Sequence, residues 1–367
     1  MNPAVRVPWW KTDLGEAEIA AVTRAIRERH VHHGPVCRDL EAALARRLEV
    51  PHVVATTSGS VALLLAMLAC GVGPGDEVVV PALTFIAPAH AALLLGAQVR
   101  LVDVGPERPL LDVEALESVV TERTKVVVVV HLNGRAADVA GVRRVAERVG
   151  ARVIEDCAQA LGSRGPGGWL GREGDVAAYS LGITKLITTG EGGFVVARDA
   201  ELQDRLVRVR NHGVHAIADN VFDGIGSNFR LTDMQAAVGL AQLARIDDRI
   251  AGVRRVYDFY REHLGVTPWT KLLEVRTGAG ELPLWAEALC PQRDAVLATL
   301  RAHGVETKAF HPCLAASPHL HAAGRFPHAT NFAARGITLP SGPDQSEENL
   351  EATVAALQAT GASLGLS

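Results

Sequence analysis

Six short runs with no polar face recur between Glu77 and Ala197: "EVVVPA" from Glu77, "QVRLVDV" from Gln98, "KVVVVVH" from Lys125, "RVIED" from Arg152, "DVAAYS" from Asp175 and "GFVVA" from Gly193. Before the first lies a helical pattern, "GSVALLLAMLAC", and between others lie "PAHAALLLG" and "VAGVRRVAERVG". A strand that is apolar on both faces must be covered twice, and helical crossovers supply both covers. This pattern predicts an α/β fold: a mostly parallel sheet with helices on both faces. In such sheets ligands bind at the carboxyl ends of the strands. The polar residues fall there: Thr84 and Phe85 after one strand, and His131, Asp156 and Ser180 at or near the ends of three more.

The pattern changes after a helical stretch from Thr232 to Leu264. "KLLEVRTGAGELPLWAEALC" reads as strands, "QRDAVLATLRAHG" as a helix, "VETKAF" as a strand and "SEENLEATVAALQATG" as a capped final helix. The expected organisation is a large domain over residues 1–249, including an N-terminal arm, and a smaller C-terminal α+β domain over residues 250–367. A net charge of −4 gives no reason to expect nucleic acid or an anionic membrane as partner. The longest apolar stretch, "VALLLAMLACGVG", is shorter than the ~20 residues a bilayer span needs. The start, "MNPAVRVPWWKTD", has no apolar signal region, so a cytoplasmic protein is expected. Cys37, Cys70, Cys157, Cys290 and Cys313 are scattered, odd in number and without a CxxC. They read as reduced thiols, with no metal site among them.

Lys185 stands in "SLGITKLITTGEGG" among small and apolar residues. A lysine amine whose pKa is lowered can capture an aldehyde cofactor, of which pyridoxal phosphate is the common case. That chemistry needs an acid for the ring nitrogen and a cradle for the phosphate. Asp156, at the end of "RVIED", can be the acid. A carboxylate about 4 Å from a pyridinium gains ~4 kcal/mol at an effective dielectric of 20. "TTSGSVALL" places Ser58, Gly59 and Ser60 at a helix start, where hydroxyls cap the helix or hold a phosphate. Ser180 adds a second hydroxyl five residues before Lys185. Phe85 can cover a flat ring or belong to the core. Gln159, three residues after Asp156, can reach a ring hydroxyl or face solvent.

In their order these blocks resemble the DegT/DnrJ/StrS sugar aminotransferases, a group of fold-type-I pyridoxal phosphate enzymes. "SGSVAL", "GPGDEVVVPALTFIAPAHAALLLGAQVRLVDV", "VIEDCAQALGS", "GDVAAYSLGITKLITTGEGG" and "NFRLTDMQAAVG" carry the likeness, from about Asp13 to the final helix. The resemblance implies that Lys185 is the Schiff-base lysine and Asp156 the pyridinium partner. Gly59, Ser60, the backbone N–H of Val61 and Ser180 would form the phosphate site, with Phe85 on the ring and Gln159 near its phenolic oxygen. Asn228 and Arg230, of "SNFRLTD", would reach the neighbouring subunit's site in a homodimer. The chain departs from the family pattern at Leu181, Gly182, Asn133 and Ser227, where aromatic or histidine residues are usual. These changes are expected to remove bulk near the substrate.

The function so implied is transfer of an amino group from an amino acid, glutamate or glutamine, to a keto-sugar. Pyridoxamine phosphate would stand between the two half-reactions. A nucleotide-linked keto-deoxysugar of amino-sugar or antibiotic biosynthesis is the leading substrate, and a keto-cyclitol or other non-nucleotide keto-sugar the alternative. A non-catalytic pyridoxal phosphate-binding regulator is a further alternative, against which the lysine argues. A dinucleotide-dependent oxidoreductase is disfavoured because no G-x-G-x-x-G follows the first strand.

Overall fold

The valine-rich runs form the centre of a seven-stranded sheet. The computed structural model describes residues 6–216, 222 and 224–366; residues 1–5 of the expected arm and residue 367 lie outside the described residues. In chain order the strands are β1 (His52–Thr56), β2 (Glu77–Pro81), β3 (Gln98–Val102), β4 (Thr124–Val130), β5 (Arg152–Asp156), β6 (Arg164–Gly165), β7 (Gly168–Trp169), β8 (Val176–Ser180) and β9 (Gly193–Ala197). Strands β6 and β7 make a separate hairpin, and the others follow the order β1-β9-β8-β5-β4-β2-β3. Strands β3, β2, β4, β5 and β8 are parallel neighbours, whereas β9 runs antiparallel to both β8 and β1.

Alternation along β4 shows how the sheet is covered. Val126, Val128 and Val130 bury with Ala62, Leu65 and Ala66 of the helix Gly59–Ala69. Val127 and Val129 bury on the other face with Val142, Val145 and Ala146 of the helix Val139–Glu147. The covering helices start at polar caps. Ser58 Oγ accepts the N–H of Val61 at 3.2 Å, Asp138 that of Gly141 at 2.7 Å and Asp199 that of Leu202 at 2.9 Å. Each such cap stabilises its helix by ~1 kcal/mol. On the β8–β9 pair, Tyr179 faces Phe194 across the ladder, with stacked rings 4.4 Å apart.

A second, antiparallel sheet contains β10 (Lys271–Leu272), β11 (Glu287–Leu289), β12 (Lys308–Ala309) and β13 (Gly336–Thr338), in the order β10-β11-β13-β12. Ala288 and Ile337 bury against Leu300, Leu350 and Leu357 of the helices Arg293–Ala302 and Glu347–Leu364. The stretch expected as one helix from Thr232 to Leu264 is two, Asp233–Ala244 and Ile246–His263, broken at Arg245 where φ is −109°. The expected strands across residues 271–290 shrink to the short β10 and β11. Strand β1 and the helices Glu16–Arg27 and Pro35–Leu48 add to the elements expected. No helix among the described residues is long and apolar enough to cross a membrane.

Candidate active site

Strands β8, β5, β4 and β2 are adjacent, so the residues that follow them gather at one edge of the sheet. A cavity of about 530 Å³ opens there. Gly59, Ser60, Phe85, Asp156, Gln159, Ser180 and Lys185, all expected from sequence, line it.

Lys185 hangs from the loop between the antiparallel pair β8 and β9. The loop is cinched at its neck: the N–H of Leu181 donates to Gly192 O at 2.8 Å, and that of Thr189 to Leu181 O at 2.9 Å. Burial brings the Lys185 amine down to about 8, while Asp156 pulls the other way. Its Nζ lies 5.4 Å from the centre of the Trp285 ring. Burial also pushes the Asp156 carboxyl up, opposed by the N–H of Ala158, which donates to Oδ1 at 2.9 Å, and by the charge of Lys185.

Behind Asp156 lies a closed polar network. His131 Nδ1 accepts the N–H of Ala137 at 3.2 Å, so its other nitrogen carries the proton and donates to Glu155 at 2.8 Å. Glu155 also accepts the N–H groups of Gly171, Glu173 and Gly174. His131, Glu155 and Cys157 are close enough to hold a metal ion. The hydrogen bonds on Glu155 already occupy the carboxylate, which makes this a structural network. It stiffens the strand end that carries Asp156.

Gln159 is oriented from both ends. Its Oε1 accepts the N–H of Asn133 at 2.8 Å, and its Nε2 lies 3.3 Å from His311 Nε2. Burial brings His311 down to about 4, and Lys185 adds to the effect. The ring is therefore neutral near pH 7, and Nε2 can accept from the Gln159 amide.

Gly59 and Ser60 open the helix Gly59–Ala69 at the cavity wall. The first N–H groups of a helix have no intrahelical acceptor. Ser58 Oγ takes that of Val61, so this N–H, expected at the phosphate site, serves the helix cap. Those of Gly59 and Ser60 remain. A Cβ on Gly59 would lie 2.6 Å from the Cβ of Ser180, so only glycine lets this turn approach the end of β8.

The opposite wall comes from the small sheet and the N-terminal arm: Trp9, Trp285, Glu287, Lys308, His311 and Thr338. None of these was a candidate from sequence; the "WW" of the arm and the "FHP" after β12 are the only local marks. Asn228 and Arg230 do not line the cavity of their own chain. Asn228 is exposed and forms a bridge with Asn211, to which the Arg230 guanidinium also donates. Of the departures from the family pattern, Gly182 lines the cavity, but Leu181 and Asn133 are fully buried. Asn133 clamps the Trp285 backbone from both sides, at 2.7 and 2.8 Å. Its replacement of an aromatic therefore supports the wall instead of opening the substrate space. A larger cleft of about 830 Å³, around Arg108, Arg164 and Arg276, contains none of the expected residues.

A lysine amine of lowered proton affinity and a buried carboxylate, facing one cavity at the carboxyl edge of a doubly covered sheet, define an α/β enzyme built for amine chemistry. The DegT/DnrJ/EryC1/StrS aminotransferase family matches residues 12–358, and the chain belongs to that family; it is an aminotransferase. It is 37% identical over 327 residues to the GDP-perosamine synthase of Caulobacter vibrioides, covering 87% of this chain and 88% of that one. It is also 37% identical over 317 residues to a UDP-N-acetyl-3-dehydro-alpha-D-glucosamine 3-aminotransferase of Acidithiobacillus ferrooxidans, covering 85% of each. Among solved structures it is similar to S. venezuelae DesV, with a TM-score of 0.88 and 32% identity over 93% of both chains. The aminotransferase TlmJ of Streptoalloteichus hindustanus superposes with a TM-score of 0.93 at 28% identity, over 98% of this chain and 100% of that one.

Proposed function

We propose that this chain transfers an amino group from glutamate or glutamine to the keto group of a nucleotide-linked keto-deoxysugar, with pyridoxal phosphate held by Lys185. One observation carries the reading: the Lys185 amine and the Asp156 carboxylate share a cavity with a helix start that only glycine can build. The names of the two curated relatives, one a GDP-sugar and one a UDP-sugar enzyme, support a nucleotide on the substrate.

The residues fit this cofactor. The bare N–H groups of Gly59 and Ser60, the positive end of their helix and the Ser180 hydroxyl suit a phosphate. Phe85, 55% exposed, offers a flat apolar face that its own chain leaves uncovered. Gln159 would offer its remaining amide N–H to the phenolic oxygen. When bound, pyridoxal phosphate supplies an aldehyde for amine capture and a ring that accepts electrons from the substrate carbon. With the cofactor held there, the Lys185 amine, set free by the incoming donor, would carry the proton lost from the donor α-carbon. Asp156, a buried carboxylate, would be the partner that keeps a ring nitrogen protonated. The same residues would serve both half-reactions, the donor leaving as its keto acid and the keto-sugar taking its place.

Asn228 and Arg230 belong to the site of a second copy in a two-fold dimer. Residues 1–249 form the large domain and residues 250–367 the smaller C-terminal domain, whose sheet supplies the facing wall of the cavity. The five buried, unpaired cysteines support a reducing compartment, the cytoplasm.

The test is incubation of pyridoxal phosphate-loaded protein with glutamate or glutamine and a panel of keto-sugars, read by product mass. An aminated nucleotide sugar is expected. An aminated product only from cyclitols would replace the substrate, and no product with any donor would end the catalytic reading. Borohydride reduction should place the pyridoxyl label on Lys185, and Lys185→Ala should lose it.

A further inference from the structure

We propose that one rung of the small sheet reads the amino acceptor. Glu287 and Thr338 take hydroxyl groups of the sugar ring, and Lys308 takes the phosphate that links the ring to its carrier. The inference rests on the aminotransferase reading above and adds the residues that recognise the substrate.

The register builds the rung. Thr338 on β13 faces Glu287 on β11 and Lys308 on β12. Directly opposed residues of an antiparallel pair project to the same face. The next rung, Ala288–Ile337–Ala309, supplies Ala288 and Ile337 to the apolar core on the other side. The Glu287–Thr338–Lys308 face is thus turned to the cavity, which all three residues line. The order is acid, hydroxyl, cation, and the outer two are two strand spacings apart, roughly 10 Å.

Each member is prepared differently. Glu287 is 1% exposed, receives Arg135 Nη1 at 2.6 Å and has the Asn133 side chain as a second donor. Arg135 is itself fixed, its Nε donating to Glu274 O at 2.9 Å. A buried pair of this kind is costly to assemble unless its remaining lone pairs find donors. A ring hydroxyl is such a donor, and the fixed geometry makes Glu287 a selective acceptor. Lys308 is the opposite case. It is exposed, and among the described residues it has no carboxylate partner. Its Nζ stands 3.7 Å from the centre of the Trp9 ring, which holds the cation in place without neutralising it. Arg135 balances Glu287, and the other carboxylates of the lining, Asp156 and Glu191, come from the large-sheet side. An unpaired, positioned cation beside a hydroxyl-reading pair suits an anionic sugar derivative; a neutral cyclitol would leave it unused.

The test is calorimetric titration of the pyridoxal phosphate-loaded, full-length protein with UDP and GDP, and with the unreactive probes UDP-glucose and GDP-mannose. The wild type should bind at least one diphosphate. Lys308→Met should weaken free and sugar-linked diphosphate at least tenfold, about 1.4 kcal/mol, and flatten the salt dependence; Lys308→Arg should retain binding. Thr338→Val, close in volume, should weaken only the sugar-linked probe. All three variants leave the buried Glu287–Arg135 pair in place, and thermal unfolding checks that they fold. Failure of wild-type protein to bind either diphosphate, unchanged binding in Lys308→Met, or equal loss of free and sugar-linked probes in Thr338→Val would each overturn the rung. The same wild-type preparation is mixed with glutamate and with glutamine. A spectral response to a donor without diphosphate binding overturns the rung alone, whereas no response to either donor overturns the underlying reading.

Discussion

Burial shifts the protonation of Lys185 and Asp156, each opposed by the other's charge, and the sign of each effect can be measured. Burial disfavours the ammonium, so the amine is half neutral near pH 8 in place of the ordinary 10.5. The folded chain then binds fewer protons than the unfolded chain between about pH 8 and 10.5. Lys185 accordingly lowers stability below about pH 8, and that cost is relieved as pH rises through the window. In cofactor-free protein, pyridoxal labelling of Lys185, trapped with borohydride and read by peptide mass, should rise with a midpoint near pH 8. A midpoint above 10 would remove the burial argument. Asp156→Asn deletes the charge that favours the ammonium, so the midpoint should move lower still. The same substitution should leave cofactor bound through its phosphate but slow the glutamate half-reaction strongly, because an amide cannot hold the ring proton. A stopped-flow rate within a few-fold of wild type would rule out that role for Asp156.

At the scale of elements, the site depends on a helix start pressed against a strand end. Gly59→Ala puts a Cβ 2.6 Å from that of Ser180, and one of the two must move. The expected cost is about 1–3 kcal/mol of stability, with weaker cofactor binding, read by thermal unfolding and by spectral titration with pyridoxal phosphate. Ser180→Gly in the same chain should recover much of the stability but not the binding, since the hydroxyl is gone. Equal stability of Gly59→Ala and wild type would mean that the turn yields freely. This half of the site was legible in the sequence because Phe85, Asp156, Gln159, Ser180 and Lys185 stand at or after the ends of apolar strand runs and Gly59 and Ser60 at a helix start, although the strand β1 before them was not expected. The facing wall was not. Strands β10 and β12 are two residues long and cannot show a period, and Trp9, Glu287, Lys308 and Thr338 meet only after the chain has folded. Asn133 shows a different limit: its replacement of an aromatic was visible, but not that its side chain would turn into the protein and hold Trp285.

For the whole molecule, the cavity of a single chain leaves Asn228 and Arg230 outside, while Phe85 at 55% and Ile183 at 47% exposure present apolar surface near its mouth. A two-fold dimer covers such a face and exchanges residues reciprocally. Lys185→Ala and Arg230→Ala chains, each inactive alone, should regain activity when mixed, because one heterodimer site then holds both intact groups. No recovery despite demonstrated subunit exchange would assign Arg230 to its own chain's site. The position of β1 has a consequence for biosynthesis. Among the described residues it is an edge strand whose only ladder partner, β9, is encoded roughly 140 residues later. At roughly 5–20 residues per second on the ribosome, "HVVAT" waits on the order of ten seconds for its partner, an unpaired apolar strand in a growing chain. The turn that begins the helix Gly59–Ala69 can meet Ser180 once β8 is made, but β1 is seated in the sheet only after the lysine loop and β9 have followed.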